Sequence, residues 1–351
     1  MLYSVAIVGA TGNVGREALR ILAERGFPAK KVVALASHRS VGKEISYGEN
    51  ETLSVQDLAT FDFSTTDIVL SSPGGAVSAQ FAPKAAAAGA IVIDNTSHFR
   101  MHDDVPLVVP EVNEAELQDF LFQHKEKPGG IIANPNCSTI QMVVALKPLH
   151  DLATITRISV ATYQAVSGAG NEAMDELLAQ SRALFTNESA PSNCFTRQIA
   201  FNAIPQIDSF MEEDGSTKEE WKMRVETAKI LDPEIKVAAT CVRIPVFIGH
   251  GEVVHVEFAD PISADAAREA LGEAPGVLVI DRLNEDGYVS SMECAGQDEV
   301  FVSRIREDQS VKHGLQMWIV SDNIRKGAAL NTVQIAESLI NLGLKPRASL
   351  R

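Results

Sequence analysis

The sequence predicts an α/β protein in two parts: a doubly wound, mostly parallel sheet over residues 1–133, and an α+β domain over 134–324. Three observations predict it. Short, continuous apolar runs alternate with helical stretches in the first part. The runs of the second part are longer and partly alternating. A chain of 351 residues is long enough for about two domains.

Residues 3–9, YSVAIVG, read as a buried strand, followed by a glycine turn and by REALRILAER, where Ala18, Leu19, Leu22 and Ala23 recur at helical spacing. VVALAS (32–37), DIVLSS (67–72), AIVIDN (90–95), LVVP (107–110) and IIAN (131–134) repeat the pattern of strands buried on both faces. Helix-like AVSAQFAPKAAAAG lies between DIVLSS and AIVIDN. Beyond residue 134, RISVATYQAV, VAATCVRIPVF, GEVVHVEFA, DEVFVSRIR and LQMWIV read as strands of an antiparallel or mixed sheet, interrupted by the helical NEAMDELLAQSRALF and TKEEWKMRVETAKIL. After WIVSDN, a helix expected over 325–351 packs back on the first domain.

Charged residues make up 22% and hydrophobic ones 45%, a composition that folds into a core. No apolar run approaches the roughly 20 residues that span a bilayer, and the first residues run into a strand without a basic leader. A cytoplasmic protein with no membrane partner is expected. A net charge of −15 opposes a nucleic-acid partner, so any anionic ligand must meet cations locally. Cys137, Cys194, Cys241 and Cys294 lie far apart, with no metal-ligand spacing; neither disulfides nor a metal are expected.

GATGNVG sets Gly9, Gly12 and Gly15 between a strand and a helix, where the backbone turns tightly and can approach a pyrophosphate; a merely structural turn is the alternative. At the end of the next strand an acid would select NAD, but ALASHRSVG offers Ser37, Arg39 and Ser40, which favours NADP unless Arg39 is only a solvated charge. SSPGG (71–75) is a second turn able to border the same cofactor.

NPNCSTI places Cys137 before an apolar helical run, and oriented N–H groups at a helix start favour a thiolate. Alone, such a cysteine is equally a small buried hydrophobe. RIPVFIGHGE supplies Arg243 and, seven residues on, His250 between two glycines, accessible as a base or else an ordinary core histidine. Arg243, inside an apolar run, calls for an anionic partner, either a ligand or a structural carboxylate. Glu219 and Lys222 share one helix face, which a solvated ion pair would also explain.

GATGNVG, SHRS, SSPGG, NTSHFR, NPNCST, YQAVSGAG, EEWKM, RIPVFIGH and DNIRKGAALN, in that order over residues 9–331, resemble the motifs of the bacterial-type aspartate-semialdehyde dehydrogenases. The resemblance implies a Rossmann-like NADP-binding domain (1–133, with helix 325–351 returning to it), a catalytic and dimerisation domain (134–324), and a homodimer or dimer of dimers. It implies Cys137 as nucleophile, His250 as acid/base catalyst and Gln164 holding the substrate near the thiol. Arg243 would pair with the substrate carboxylate, and Arg100 with Lys222 would bind phosphate. Glu219 would meet the substrate ammonium or order the Arg243 and Lys222 charges; Asn136 and the Cys137 N–H would make oxyanion contacts. Gly9, Thr11, Gly12, Asn13, Val14, Gly15, Ser37, Arg39, Ser40, Ser72 and Gly74 would line the NADP site, with Ser167, Gly168 and Asn323 near the nicotinamide.

The activity implied is NADPH-dependent reductive dephosphorylation of L-4-aspartyl phosphate to L-aspartate 4-semialdehyde through a Cys137 thioester, within lysine, threonine, methionine and diaminopimelate biosynthesis. Its rivals are N-acetyl-γ-glutamyl-phosphate reductase, a non-catalytic NADP-binding relative and a thiol hydrolase. Glu219 and the RIPVFIGH stretch favour the aspartyl substrate, because an N-acetylated amine carries no charge to pair. Ser138 and Thr139 are expected to begin the helix rather than to react, and activity is expected to fall in acid as Cys137 or His250 protonates.

Overall fold

A computed structural model describes residues 1–126, 128–189, 192–284 and 286–347. The chain forms two compact units, Met1–Pro135 with Ala328–Arg351, and Asn136–Gly327. The sequence reading set these borders at 133/134 and 324/325.

In the first unit the chain runs β1 (Tyr3–Val8), α1 (Asn13–Glu24), β2 (Ala29–Ala36), β3 (Glu44–Tyr47), β4 (Glu51–Ser54), β5 (Gln56–Asp57) and β6 (Ile68–Ser71). It continues through α2 (Gly75–Ala87), β7 (Ile91–Asp94), α3 (Pro110–Asn113), α4 (Ala115–Gln123) and β8 (Gly130–Ala133). Six strands make one parallel sheet in the order β5-β2-β1-β6-β7-β8, while β3 and β4 form a separate antiparallel hairpin. The order reverses direction at β1, so the turns leaving β1, β2 and β6 gather at the switch point where such sheets bind ligands. LVVP is not a strand. It contributes a single bridge, Leu107 to Ala133, and Pro110 opens α3, because proline has no N–H for a ladder while its fixed φ suits a first helical turn.

The second unit contains α5 (Cys137–Leu152), β9 (Ile155–Gln164), α6 (Asn171–Thr186), α7 (Lys218–Ile230), β10 (Lys236–Arg243) and β11 (His250–Phe258). It ends with α8 (Ala264–Glu273), β12 (Val277–Val279), β13 (Val300–Glu307) and β14 (Gly314–Ser321). The sheet order is β10-β9-β11-β14-β13-β12, parallel at both edges and antiparallel between them, hence mixed. Alternation buries Ile158, Val160, Thr162 and Gln164 of β9 with His250, Glu252, Val254 and Val256 of β11, and α5 packs on this sheet. One row of that buried face thus carries polar side chains, at the strand ends nearest the start of α5.

A π-helical turn, Arg325–Ala329, leads into α9 (Leu330–Asn341). Leu330, Val333, Ile335, Ala336 and Leu339 join Ile7, Leu19, Ile68 and Ile93 in the core of the first unit. The helix expected over 325–351 stops at Asn341, with Gly343 at φ 102° just beyond, and its last four residues lie outside the described ones.

Candidate active site

Asn136, in extended backbone, is the N-cap of α5: its Oδ1 accepts the N–H groups of Ser138 (3.0 Å) and Thr139 (3.3 Å). Cys137 is therefore the first helical residue, partly exposed, where the helix dipole favours negative charge on sulfur. Asn136 is itself held from both sides, its N–H donating to Glu226 Oε2 (2.7 Å) and its Nδ2 to Glu219 Oε1 (2.8 Å). Behind the thiol, a Cβ on Gly327 would come within 2.8 Å of Cys137 Cβ, so only glycine fits there without displacement.

Glu219 and Lys222 are not a solvated pair. Glu219 is 5% exposed and accepts from Lys222 Nζ (3.1 Å) and from Gln164 Nε2 (3.2 Å), which also donates to Ser138 Oγ (2.7 Å). Burial works against the Glu219 carboxylate, but Lys222, the Asn136 amide and Arg243 outweigh it and hold its pKa below the usual range. Lys222 loses by burial and gains more from Glu219 and from Asp208, to which it donates at 3.0 Å, so its pKa rises. Arg243 is buried, which lowers its pKa against the opposing pull of Glu219 and Cys137, and its Nη1 donates to Ala165 O (2.7 Å).

The imidazole of His250 is wholly buried, and its Nδ1 lies 3.1 Å from the N–H of Ala165. A backbone N–H only donates, so Nδ1 accepts and the proton of the neutral ring sits on Nε2. Burial and the neighbouring Arg243 push the His250 pKa down to about 3, so the ring is neutral at physiological pH. Nε2 has no hydrogen-bond partner among the described residues. A Cβ on Gly168 would lie 3.0 Å from Arg243 Nη1 and 3.3 Å from His250 Nε2; bare glycine leaves both donors facing space that a substrate could occupy. Beside them, Asn323 Nδ2 donates to Ser167 Oγ (2.9 Å) and Asn323 Oδ1 accepts from Gly249 N–H (2.9 Å).

The first unit carries the glycine turn. Gly9 has φ 82°, and a Cβ there would meet Ser72 O at 2.6 Å, while one on Gly15 would collide with Gly9 O. Neither α1, capped by Gly12, nor α2, capped by Gly74, has a side chain on its N-terminus, so both present oriented N–H groups of the kind that cradle phosphate. Thr11 O takes Arg16 Nε (3.1 Å), and Val14 packs on the core. Past β2, Ser37, Arg39 and Ser40 belong to a surface turn in which Arg39 is exposed and makes no ion pair among the described residues, while the nearby acid Asp57 pairs with His38 (2.9 Å). These residues fit a dinucleotide. Arg100, also in this unit, is buried and donates to Asn134 O and Asn95 O, each at 2.9 Å.

Sequence reasoning missed Glu226 and Ala165. Glu226 was discoverable, seven residues past Glu219 on the same helix face. Ala165 acts through its main-chain N–H and carbonyl, which no residue type signals. Ser138, expected only to start the helix, also supplies the acceptor for Gln164.

Residues 4–120 match the family described as semialdehyde dehydrogenase, NAD binding domain, and residues 146–326 match semialdehyde dehydrogenase, dimerisation domain. The aspartate-semialdehyde dehydrogenase of Legionella pneumophila is 54% identical over 96% of this chain and 95% of its own. The structure of aspartate semialdehyde dehydrogenase II of Vibrio cholerae complexed with ASA aligns at TM-score 0.93 and 48% identity, over 98% of this chain and all of that one. The Candida albicans enzyme, solved with NADP, aligns at TM-score 0.76 and 27% identity, over 97% and 100% of the two chains. Across nearly its whole length, then, the chain belongs to the aspartate-semialdehyde dehydrogenase family.

Proposed function

We propose that the protein reduces L-4-aspartyl phosphate to L-aspartate 4-semialdehyde with NADPH, releasing phosphate, in the biosynthesis of lysine, threonine, methionine and diaminopimelate. The observation that carries this reading is the main chain of one residue: the N–H of Ala165 orients His250 and its carbonyl oxygen orients Arg243, in the unit whose helix α5 begins at Cys137.

The Cys137 thiolate attacks the acyl carbon; the new S–C bond pushes the carbonyl electrons onto oxygen, and their return breaks the C–O bond to phosphate. The product is a thioester. The glycine turn at Gly9, Gly12 and Gly15 would hold the dinucleotide, which would supply hydride to that carbon when bound in its reduced form. The resulting oxyanion re-forms a C=O bond as C–S breaks, returning the thiolate and freeing the aldehyde. His250, with its proton on Nε2, donates a hydrogen bond to the oxygen that becomes negative in both stages. Arg243 keeps guanidinium N–H groups for the substrate carboxylate, Gln164 orients the acyl group beside the thiol, and Arg100 and Lys222 serve the phosphate. Glu219, ionised by its cationic neighbours, suits a substrate ammonium and disfavours an N-acetylated rival. Asn136 acts as the helix cap that presents Cys137.

Residues 1–133 would bind the cofactor and 134–324 would catalyse and dimerise. Exposed Arg39, just past the end of β2 where an acid would select NAD, supports NADP over NAD. No described helix is long and apolar enough to cross a membrane, consistent with work in the cytoplasm. Phosphate-dependent reduction of NADP by aspartate semialdehyde tests the assignment, with N-acetylglutamate semialdehyde as the rival substrate and NAD as the rival cofactor. Turnover of the aspartyl substrate, abolished in Cys137→Ala, is expected; turnover of the N-acetyl substrate alone overturns the reading.

A further inference from the structure

His250 is gripped at three points. Its ring is set by Ala165, the N–H of Gly249 before it by Asn323 Oδ1 (2.9 Å), and its own carbonyl oxygen by Gln141 Nε2 (3.0 Å). Gln141 lies one turn past Cys137 on the same face of α5 and is wholly buried. The other end of its carboxamide, Oε1, accepts from Ser321 Oγ (2.7 Å), and Ser321 is the residue of β14 directly opposite His250. One rigid amide therefore joins the helix carrying the thiol, the main chain of the histidine and the next strand. Ser138, in the same helical turn, holds Gln164 of the third strand, so α5 is bonded to β9, β11 and β14.

We propose that Gln141 is a positioning residue for the reaction: through His250 O and Ser321 Oγ, its carboxamide sets how the Nε2–H of His250 is aimed relative to the sulfur of Cys137. The inference rests on Cys137 and His250 being the reacting pair. A bond to the carbonyl of His250 fixes the backbone from which the ring hangs without touching the ring nitrogens, which are reserved for Ala165 and for the substrate. Neither Gln164 nor Asn323 can replace it. Gln164 binds Ser138 and Glu219, and Asn323 holds the N–H of the preceding residue, Gly249.

Gln141→Met keeps the length of the side chain and removes both hydrogen bonds. Because sub-ångström aim matters to the chemical step, its kcat should fall by roughly 10- to 100-fold, counted per titrated Cys137 thiol. The KM values for aspartate semialdehyde and NADP should stay within about threefold, since ground-state binding is untouched. The rate at which iodoacetamide alkylates Cys137 should stay within about twofold, because the cap at Asn136 and not Gln141 sets the thiolate. A Gln141→Met enzyme with wild-type kcat and only a lower melting temperature overturns the inference, as does a loss confined to KM. Ser321→Ala, which removes only the outer anchor, decides the matter if Gln141→Met does not fold: a kcat lowered several-fold at unchanged KM is expected, and wild-type kcat refutes it. Cys137→Ala and His250→Asn run beside them. Full activity in either overturns the underlying assignment, whereas their inactivity with a fully active Gln141→Met overturns the positioning role alone.

Discussion

Glu219 and Glu252 are both wholly interior carboxyls of the second unit, yet they differ in charge. Glu219 has Lys222, Arg243 and the Asn136 amide around it and stays ionised. Glu252, two residues past His250 on the same strand face, has no hydrogen-bond partner for either oxygen among the described residues; burial pushes its pKa well above the usual range, opposed only by the Gln141 amide. A raised pKa means that the folded state holds a proton the unfolded chain loses above about pH 4.5, so this residue costs stability increasingly as pH rises. Glu252→Gln should therefore raise the melting temperature at pH 8, and the gain over wild type should shrink toward zero as scans approach pH 4.5. A pH-independent difference between the two proteins would contradict a buried, protonated carboxyl. His250 behaves in the opposite sense to its usual role in enzymes. Depressed to about 3 by burial and by Arg243, the ring stays neutral at about pH 5, so a loss of activity there would come from another group. Sequence showed which residues to suspect and not their charge states, because those depend on neighbours such as Ala165 and Arg243 that only the fold supplies.

The elements were most legible where one physical demand dominated. Strands β1, β6 and β7 are buried on both faces, as are the second halves of β2 and β8, and their apolar runs announced them. LVVP carries the same composition and failed for want of a proline N–H, while the polar hairpin β3–β4 has no apolar run to detect. Helix α5 was located by its apolar residues, but its function depends on the residue before it. Asn136→Ala removes two N-terminal hydrogen bonds and one to Glu219, and a lost cap costs about 1 kcal/mol. Melting should drop by a few degrees, and alkylation of Cys137 at neutral pH should slow markedly as the first turn loosens; unchanged alkylation would show that the cap does not support the thiolate.

At the scale of the molecule, the second unit leaves Tyr163, Phe185, Phe201, Phe210, Phe247, Tyr288 and Met292 exposed, more aromatic surface than an isolated subunit of this size needs. Tyr163 and Trp318 lie 6.0 Å apart, and Gly251 next to them in the sheet lets the Trp318 ring cross, since a Cβ there would collide with it. Two copies joined through this unit would cover such a surface. Light scattering should give a mass near twice 37.8 kDa at micromolar concentration, and a monomer at that concentration would remove the basis for a dimeric enzyme. The two-domain plan was readable from the change in strand pattern near residue 134; the exposed aromatic side chains were not, because they are scattered along the sequence.

The discontinuity of the first unit has a consequence for how the protein is made. Its core includes α9, whose Leu330, Val333 and Leu339 are synthesised only after the whole of the second unit. The intervening Asn136–Gly327 is contiguous and leaves the ribosome complete while the earlier unit still lacks a wall. Order of synthesis and order of completion are thus inverted: the thiol-bearing unit can close first, and the unit that begins the sheet waits for the residues from Ala328 onward.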